Sequence, residues 1–152
     1  MRLLFLFISI FYFHVFSGVS YASIVTVQAL SFGEFVTIAN DAQYDITVNT
    51  NGSYTFDAAG FIELSAPQEG VYDFGGLALN TAIASVIITQ TAPLVGIGPD
   101  INMVNLQETH PGSTDASGVA RIVIGGTART DGSGTLYVDQ TLNGQLQIQI
   151  NF

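Results

Sequence analysis

The chain has 152 residues, no cysteine, 3 basic residues and 12 acidic residues, which gives a formal net charge of −9 at pH 7. So few cations cannot form the Lys and Arg clusters that bind phosphate backbones or anionic membrane surfaces, which argues against both classes of partner. Without cysteine, the fold depends on side-chain packing and strand pairing.

The first 22 residues have the pattern of a secretory signal peptide. Arg2 is followed by an apolar run over residues 3–16, and Ser20-Tyr-Ala22 ends the segment with a small-x-small pattern. This pattern predicts cleavage after Ala22 and export to the periplasm, the cell surface or the medium. The alternative is a marginal membrane anchor that extends to Ala22.

Residues 23–152 have the length of one domain and the pattern of an all-β fold. Short segments that alternate apolar and polar residues follow one another, and none has the i, i+3, i+4, i+7 spacing of a helix. No membrane span is predicted in this part of the chain. The predicted strands are residues 24–32, 35–38, 44–49, 53–56, 61–65, 71–74, 85–89, 101–106, 119–124, 135–139 and 145–152.

The first predicted strand changes its pattern part-way along. Val25 and Val27 share one face, whereas Leu30 and Phe32 fall on the other, which predicts a bulge or bend near Gln28 and Ala29.

Glycine marks several predicted connections further along the chain. Residues 91–100 contain two prolines and two glycines and are predicted to be a loop. Gly125-Gly126 follows a strand with no helix after it, so the pair is predicted to form a kink or a close contact between strands rather than a phosphate site. Asn143-Gly144 is predicted to close the final hairpin.

The last segment shows the clearest strand pattern of the chain. Leu146, Ile148, Ile150 and Phe152 alternate with polar residues, so the four apolar side chains are predicted to face the core. Neutral glutamines occupy the opposite face. Because they carry no charge, they give this strand little protection against pairing with a strand of another chain.

No combination of residues predicts catalysis. Beyond the signal peptide, histidine is limited to His110, in a turn-like Gln-Glu-Thr-His-Pro-Gly segment, and no serine lies in a Gly-x-Ser-x-Gly motif. His110 is interpreted as an exposed loop residue. The chain is therefore predicted not to be an enzyme, with no catalytic residue and no cofactor.

Two loops carry oxygen ligands that calcium prefers, at Asn40-Asp41 and at Asp131-Gly-Ser-Gly134. Neither loop has the alternating acidic spacing of a dedicated calcium motif, and turn formation explains both. No metal site is predicted, although calcium binding by one of these loops stays open.

Six segments follow one another along the chain: Ala29-Leu-Ser-Phe-Gly-Glu-Phe35, Gly60-Phe-Ile-Glu-Leu64, Val71-Tyr-Asp-Phe-Gly-Gly76, Ala84-Ser-Val-Ile-Ile-Thr89, Ile122-Val-Ile-Gly-Gly-Thr127 and Asn143-Gly-Gln-Leu-Gln-Ile-Gln-Ile-Asn-Phe152. In this order they resemble the bacterial secreted family catalogued as domain of unknown function 4402. The resemblance covers nearly all of residues 24–152. It implies an immunoglobulin-like, pilin-like β-sandwich, related to subunits of surface fibres and to spore-coat-U-type proteins, in a Gram-negative bacterium.

The sequence favours a non-enzymatic secreted or cell-surface structural domain that acts through strand-edge assembly. The expected partners are further copies of the chain or other surface-fibre subunits, with a periplasmic chaperone as a further possibility. Two alternatives stay open: an outer-membrane protein of β-barrel type, and a soluble carbohydrate-binding module.

Overall fold

A computed structural model describes residues 23–152, so the predicted signal peptide lies outside the described residues. This part of the chain contains ten strands and no helix, which confirms the all-β prediction. The strands are β1 (Ser23–Gln28), β2 (Glu34–Thr37), β3 (Asp45–Val48), β4 (Tyr54–Phe56), β5 (Phe61–Ser65), β6 (Gly70–Gly75), β7 (Ser85–Val95), β8 (Asn102–Thr109), β9 (Ala120–Arg129) and β10 (Asn143–Asn151).

The larger sheet has six antiparallel strands in the order β1-β6-β9-β3-β4, with β8 paired to β9 off this path. On one edge of β9, residues 120–124 pair with β6 and residues 126–129 pair with β3, while β8 pairs along the opposite edge. Gly125 lies at the junction, where a side chain would overlap the carbonyl oxygen of Val48. The predicted close contact at Gly125 is therefore confirmed.

Two smaller antiparallel pairs, β2–β5 and β7–β10, pack against the larger sheet through two clusters of apolar side chains. Ile122 and Ile124 of β9 are fully buried in a cluster that includes Ile148 of β10. A second cluster joins Ile46 of β3 to Phe61 of β5. The core thus lies between the six-stranded sheet and the two pairs, which is consistent with a β-sandwich.

Aspartates on neighbouring strands hold both arginines of residues 23–152. Arg121 lies opposite Asp73 and Arg129 opposite Asp45. Each guanidinium makes two hydrogen bonds to its carboxylate, at 2.8 Å for Arg121 and 2.7 Å for Arg129. These bonds raise the pKa of both guanidinium groups. Since the cations are already paired, the rest of the described surface keeps its acidic character.

Most predicted strands occur with shifted bounds. The first ends at Gln28, and a register shift between Thr26 and Gln28 confirms the predicted irregularity there. β7 continues to Val95, through residues that were predicted to be a loop. It does so because Leu94 and Ile101 exchange backbone hydrogen bonds of 2.8 and 3.0 Å, which join β7 to β8.

The predicted strand at residues 135–139 is wrong, because these residues lie outside every strand. The side chain of Asn40 holds the preceding turn: its Nδ2 donates to the Thr135 carbonyl at 2.8 Å, and its Oδ1 accepts from the Gly132 N–H at 3.0 Å. Asn143-Gly144 consequently does not close a hairpin. It begins β10, whose partner is β7.

No helix of residues 23–152 has the length and apolar character needed to cross a membrane.

Candidate interaction site at the β10 edge

β10 is an edge strand of the two-stranded β7–β10 pair. It pairs with β7, where Ile148 is opposite Ile88, and the register is regular from Leu146 to Asn151. Nearer Asn143 the register shifts twice. No other strand of residues 23–152 pairs with β10, so its second edge presents unpaired backbone N–H and C=O groups. This edge is available to water or to a strand of another molecule.

The side chains of β10 alternate as the sequence predicts, with one exception. Leu146, Ile148 and Ile150 are half-buried against the core, and the glutamines between them are exposed. Phe152 was predicted to lie in the core but is 55% exposed, because it lies beyond Asn151, the last residue paired with β7. Among the described strands only β7 pairs with β10, so a paired strand flanks its inward side chains on one side only.

The β7–β10 pair carries no charged side chain in a chain whose net charge is −9. Aspartate, glutamate, lysine and arginine are all missing from residues 74–99 and 140–152, which contain both strands. The side-chain carboxylates of the chain therefore lie elsewhere in sequence. The side chains of this pair therefore add no charge repulsion when another acidic molecule approaches it.

A cleft of about 1320 Å³ lies beside β10. One wall is formed by residues 29–37, which include β2, and the other by residues 137–144 together with Leu146 and Ile148. Gln140 lines this cleft, and its Nε2 is buried without a hydrogen-bond partner among the described residues. A buried amide N–H of this kind favours binding of an acceptor oxygen.

Sequence reasoning missed this cleft. Its walls come from segments near opposite ends of the described chain, and only the sheet topology brings them together. Gln140 lies in a segment with no strand, so no periodic pattern singles it out. The cleft and the free edge of β10 are adjacent because Leu146 and Ile148 belong to both.

His110 lies just beyond β8 and contacts one carboxylate. Its Nδ1 is 3.0 Å from Oε2 of Glu108, and the two side chains are 22% and 26% exposed. The histidine that was predicted to be an exposed loop residue is thus only partly exposed. Within residues 23–152, no three His, Cys, Asp or Glu residues form a group that could hold a metal ion.

The two loops considered for calcium lie together in the structure. Nδ2 of Asn40 donates to Oδ1 of Asp131 at 2.7 Å, and the Ser133 N–H donates to the same oxygen at 3.1 Å. The hydrogen bond from Asn40 is the main cause of a lowered Asp131 pKa. Asp41 accepts a hydrogen bond from the Tyr44 hydroxyl at 2.7 Å. The carboxylates of both loops therefore already serve the turns that contain them.

Comparison with protein-family models finds no match for this chain, and comparisons with curated proteins and with solved structures find none either. The resemblance to domain of unknown function 4402 stays a prediction.

Proposed function

We propose that this protein is an exported, non-enzymatic structural subunit of the cell surface, with an immunoglobulin-like, pilin-like or coat-like domain that assembles through a strand edge. The observation that carries the proposal is the unpaired edge of β10. Extended backbone at a free edge is a template for strand addition, in which main-chain hydrogen bonds supply affinity.

The regular part of β10 lacks the features that usually protect an edge strand. From Leu146 to Asn151 it contains no lysine, no proline and no register shift. Its outward side chains at Gln147 and Gln149 are exposed and neutral. A strand of another molecule therefore meets neither a charge nor a missing N–H along this segment.

Export is the second element of the proposal and rests on the N-terminal sequence. The charged, apolar and small-x-small regions of residues 1–22 favour a cleaved signal peptide. A cysteine-free all-β domain needs no disulfide formation after export. We expect Edman sequencing of the exported protein to begin at Ser23 or within two residues, and an intact Met1 in that protein would support an anchor instead.

Association of the purified, naturally processed protein tests the assembly role. Sedimentation at increasing concentration should show association for the wild type and its loss for Gln147→Lys, because a charged lysine on a free edge opposes strand addition. Gln43→Lys is the matched control, since Gln43 is exposed, lies outside every strand and undergoes the same change of charge. Equal association of both variants would contradict the proposal.

The cleft favours a second candidate function, binding of a small polar ligand such as a carbohydrate. It is large enough for a ligand, it includes the ring of Tyr137, and Gln140 supplies an unpaired N–H. Saturable binding of a glycan by the wild type, lost in both Tyr137→Ala and Gln140→Ala, would support this function over assembly.

A further inference from the structure

We propose that a second copy of this chain pairs with β10 in antiparallel orientation, about a two-fold axis that passes through Gln149. The proposal rests on the assembly role of the β10 edge and names the partner and the register. Two copies related in this way would form a continuous four-stranded sheet, β7–β10–β10–β7.

The charge distribution favours a second copy at this edge. Without residues 1–22 the chain has 2 basic and 12 acidic residues, a net charge of −10. Two such molecules repel each other over most of their surfaces, but the β7–β10 pair contributes no charged side chain to a contact. In an isologous pair, β10 of one copy faces β10 of the other, and neither strand carries a charged side chain. Like charges are therefore not brought opposite each other across the new ladder.

The alternation along β10 restricts the possible registers. Residues directly opposite in an antiparallel pair point to the same face, so apolar residues must meet apolar residues if both inward faces are to cover the cores. A two-fold axis at Gln149 achieves this, because Ile148 then lies opposite Ile150 of the second copy. Gln147 likewise lies opposite Asn151, and Gln149 lies opposite its own counterpart.

Phe152 favours the axis at Gln149 over an axis nearer Asn143. In this register Phe152 lies opposite Leu146 of the second copy, which would cover a ring that is 55% exposed in the single chain. The contact also uses the regular segment that begins at Leu146 and avoids the two register shifts that follow Asn143. The second copy would complete the burial of the half-buried inward side chains of β10.

Cysteine substitution tests the register directly, because the chain has no cysteine of its own. Gln149→Cys in the full-length chain, purified after natural processing, should form a covalent dimer on mild oxidation or with a short bis-maleimide. Gln147→Cys alone should not, because the two copies of residue 147 would be about 13 Å apart along the strand. A mixture of Gln147→Cys and Asn151→Cys should again give a covalent dimer.

Phe152→Ala supplies a second readout. It should weaken self-association about tenfold or more while leaving the unfolding transition of the monomer unchanged. The two-fold pairing is overturned if Gln147→Cys forms a covalent dimer and Gln149→Cys does not, or if the wild type stays monomeric at every concentration.

The proposed function and this pairing can fail separately. If Gln147→Lys abolishes association while Gln149→Cys forms no covalent dimer, the edge still mediates assembly and the two-fold register is wrong. If Gln147→Lys associates as the wild type does, both proposals fail together.

Discussion

Nδ2 of Asn40 donates a hydrogen bond of 2.7 Å to Oδ1 of Asp131, 91 positions along the chain. Asn40 is 2% exposed and also bonds to the Gly132 N–H and the Thr135 carbonyl. One buried side chain thus fixes the turn that follows β9. Residues 135–139, which come after this turn, form no strand and do not pair with β10.

Asn40→Ala is expected to lower the free energy of unfolding by about 1–3 kcal/mol, because it leaves buried polar groups of the turn without partners. Urea denaturation followed by circular dichroism measures the change. Gln43→Ala, which truncates an exposed amide nearby, should stay within about 0.5 kcal/mol of the wild type. Equal stability of the two variants would show that the Asn40 network does not stabilise the fold.

Stability is expected to fall in acid. Hydrogen bonds lower the folded-state pKa of three carboxyl groups, chiefly from Arg121 to Asp73, from the Val119 N–H to Asp115, and from Asn40 to Asp131. A carboxyl group whose pKa is lower in the folded state than in the unfolded state stabilises the fold at any pH above the ordinary aspartate pKa of about 4. This stabilisation is lost as the pH falls through the lowered pKa of the folded state.

Urea midpoints measured at pH 7, 4 and 3 test this pH dependence. We expect little change between pH 7 and about pH 5 and a progressive decrease below about pH 4. Asp115→Asn should show a shallower decrease than the wild type, because one of the three groups no longer titrates. A midpoint that rises on acidification would contradict the assigned directions.

Truncation along β10 is expected to separate inward side chains from Phe152. Leu146→Ala and Ile148→Ala should each lower the free energy of unfolding by about 1–2 kcal/mol, less than a fully buried residue, because both are half-buried. Phe152→Ala should change it by less than about 0.5 kcal/mol. Ile148→Asp should prevent folding, since it places a charge against the core.

Dilute samples are needed for these measurements so that the monomer alone is observed. A large loss of stability for Phe152→Ala under those conditions would mean that the ring packs within its own chain.

His110→Ala is expected to leave both the fold and self-association unchanged. Its ring contacts Glu108 at the surface, and no third titratable group of residues 23–152 completes a metal-binding cluster. The unfolding free energy should change by less than about 1 kcal/mol. Loss of any enzymatic activity in His110→Ala, with the circular dichroism spectrum intact, would reopen a catalytic role.

The sequence predicts the class and most strands of this fold because two-residue alternation is a local property. The irregularity near Gln28 and the close contact at Gly125 also follow from local patterns. Residues 135–139 have the alternation of a strand and still form none. Asn40, a buried partner that is distant in sequence, holds the first of these residues through the Thr135 carbonyl, and no local pattern reveals such a partner.

The candidate site could be predicted only in part. The inward parity of Ile148 and the exposed glutamines are visible in the sequence, and they already indicate a poorly protected edge strand. The sequence does not show which strand pairs with β10. In the structure β10 pairs with β7 and not with residues 135–139, and this pairing determines which edge of β10 stays free. The exposure of Phe152 and the unpaired Nε2 of Gln140 depend on packing in three dimensions.

Amide hydrogen exchange along β10, measured residue by residue by NMR at low and high protein concentration, tests strand-edge assembly most directly. In the dilute protein, we expect alternate amides between Leu146 and Asn151 to be protected by β7 and the others to exchange rapidly. At high concentration the rapid set should become protected, while amides of the exposed edge strand β1 should not change. Association that leaves the rapid β10 amides unprotected would contradict assembly through this edge.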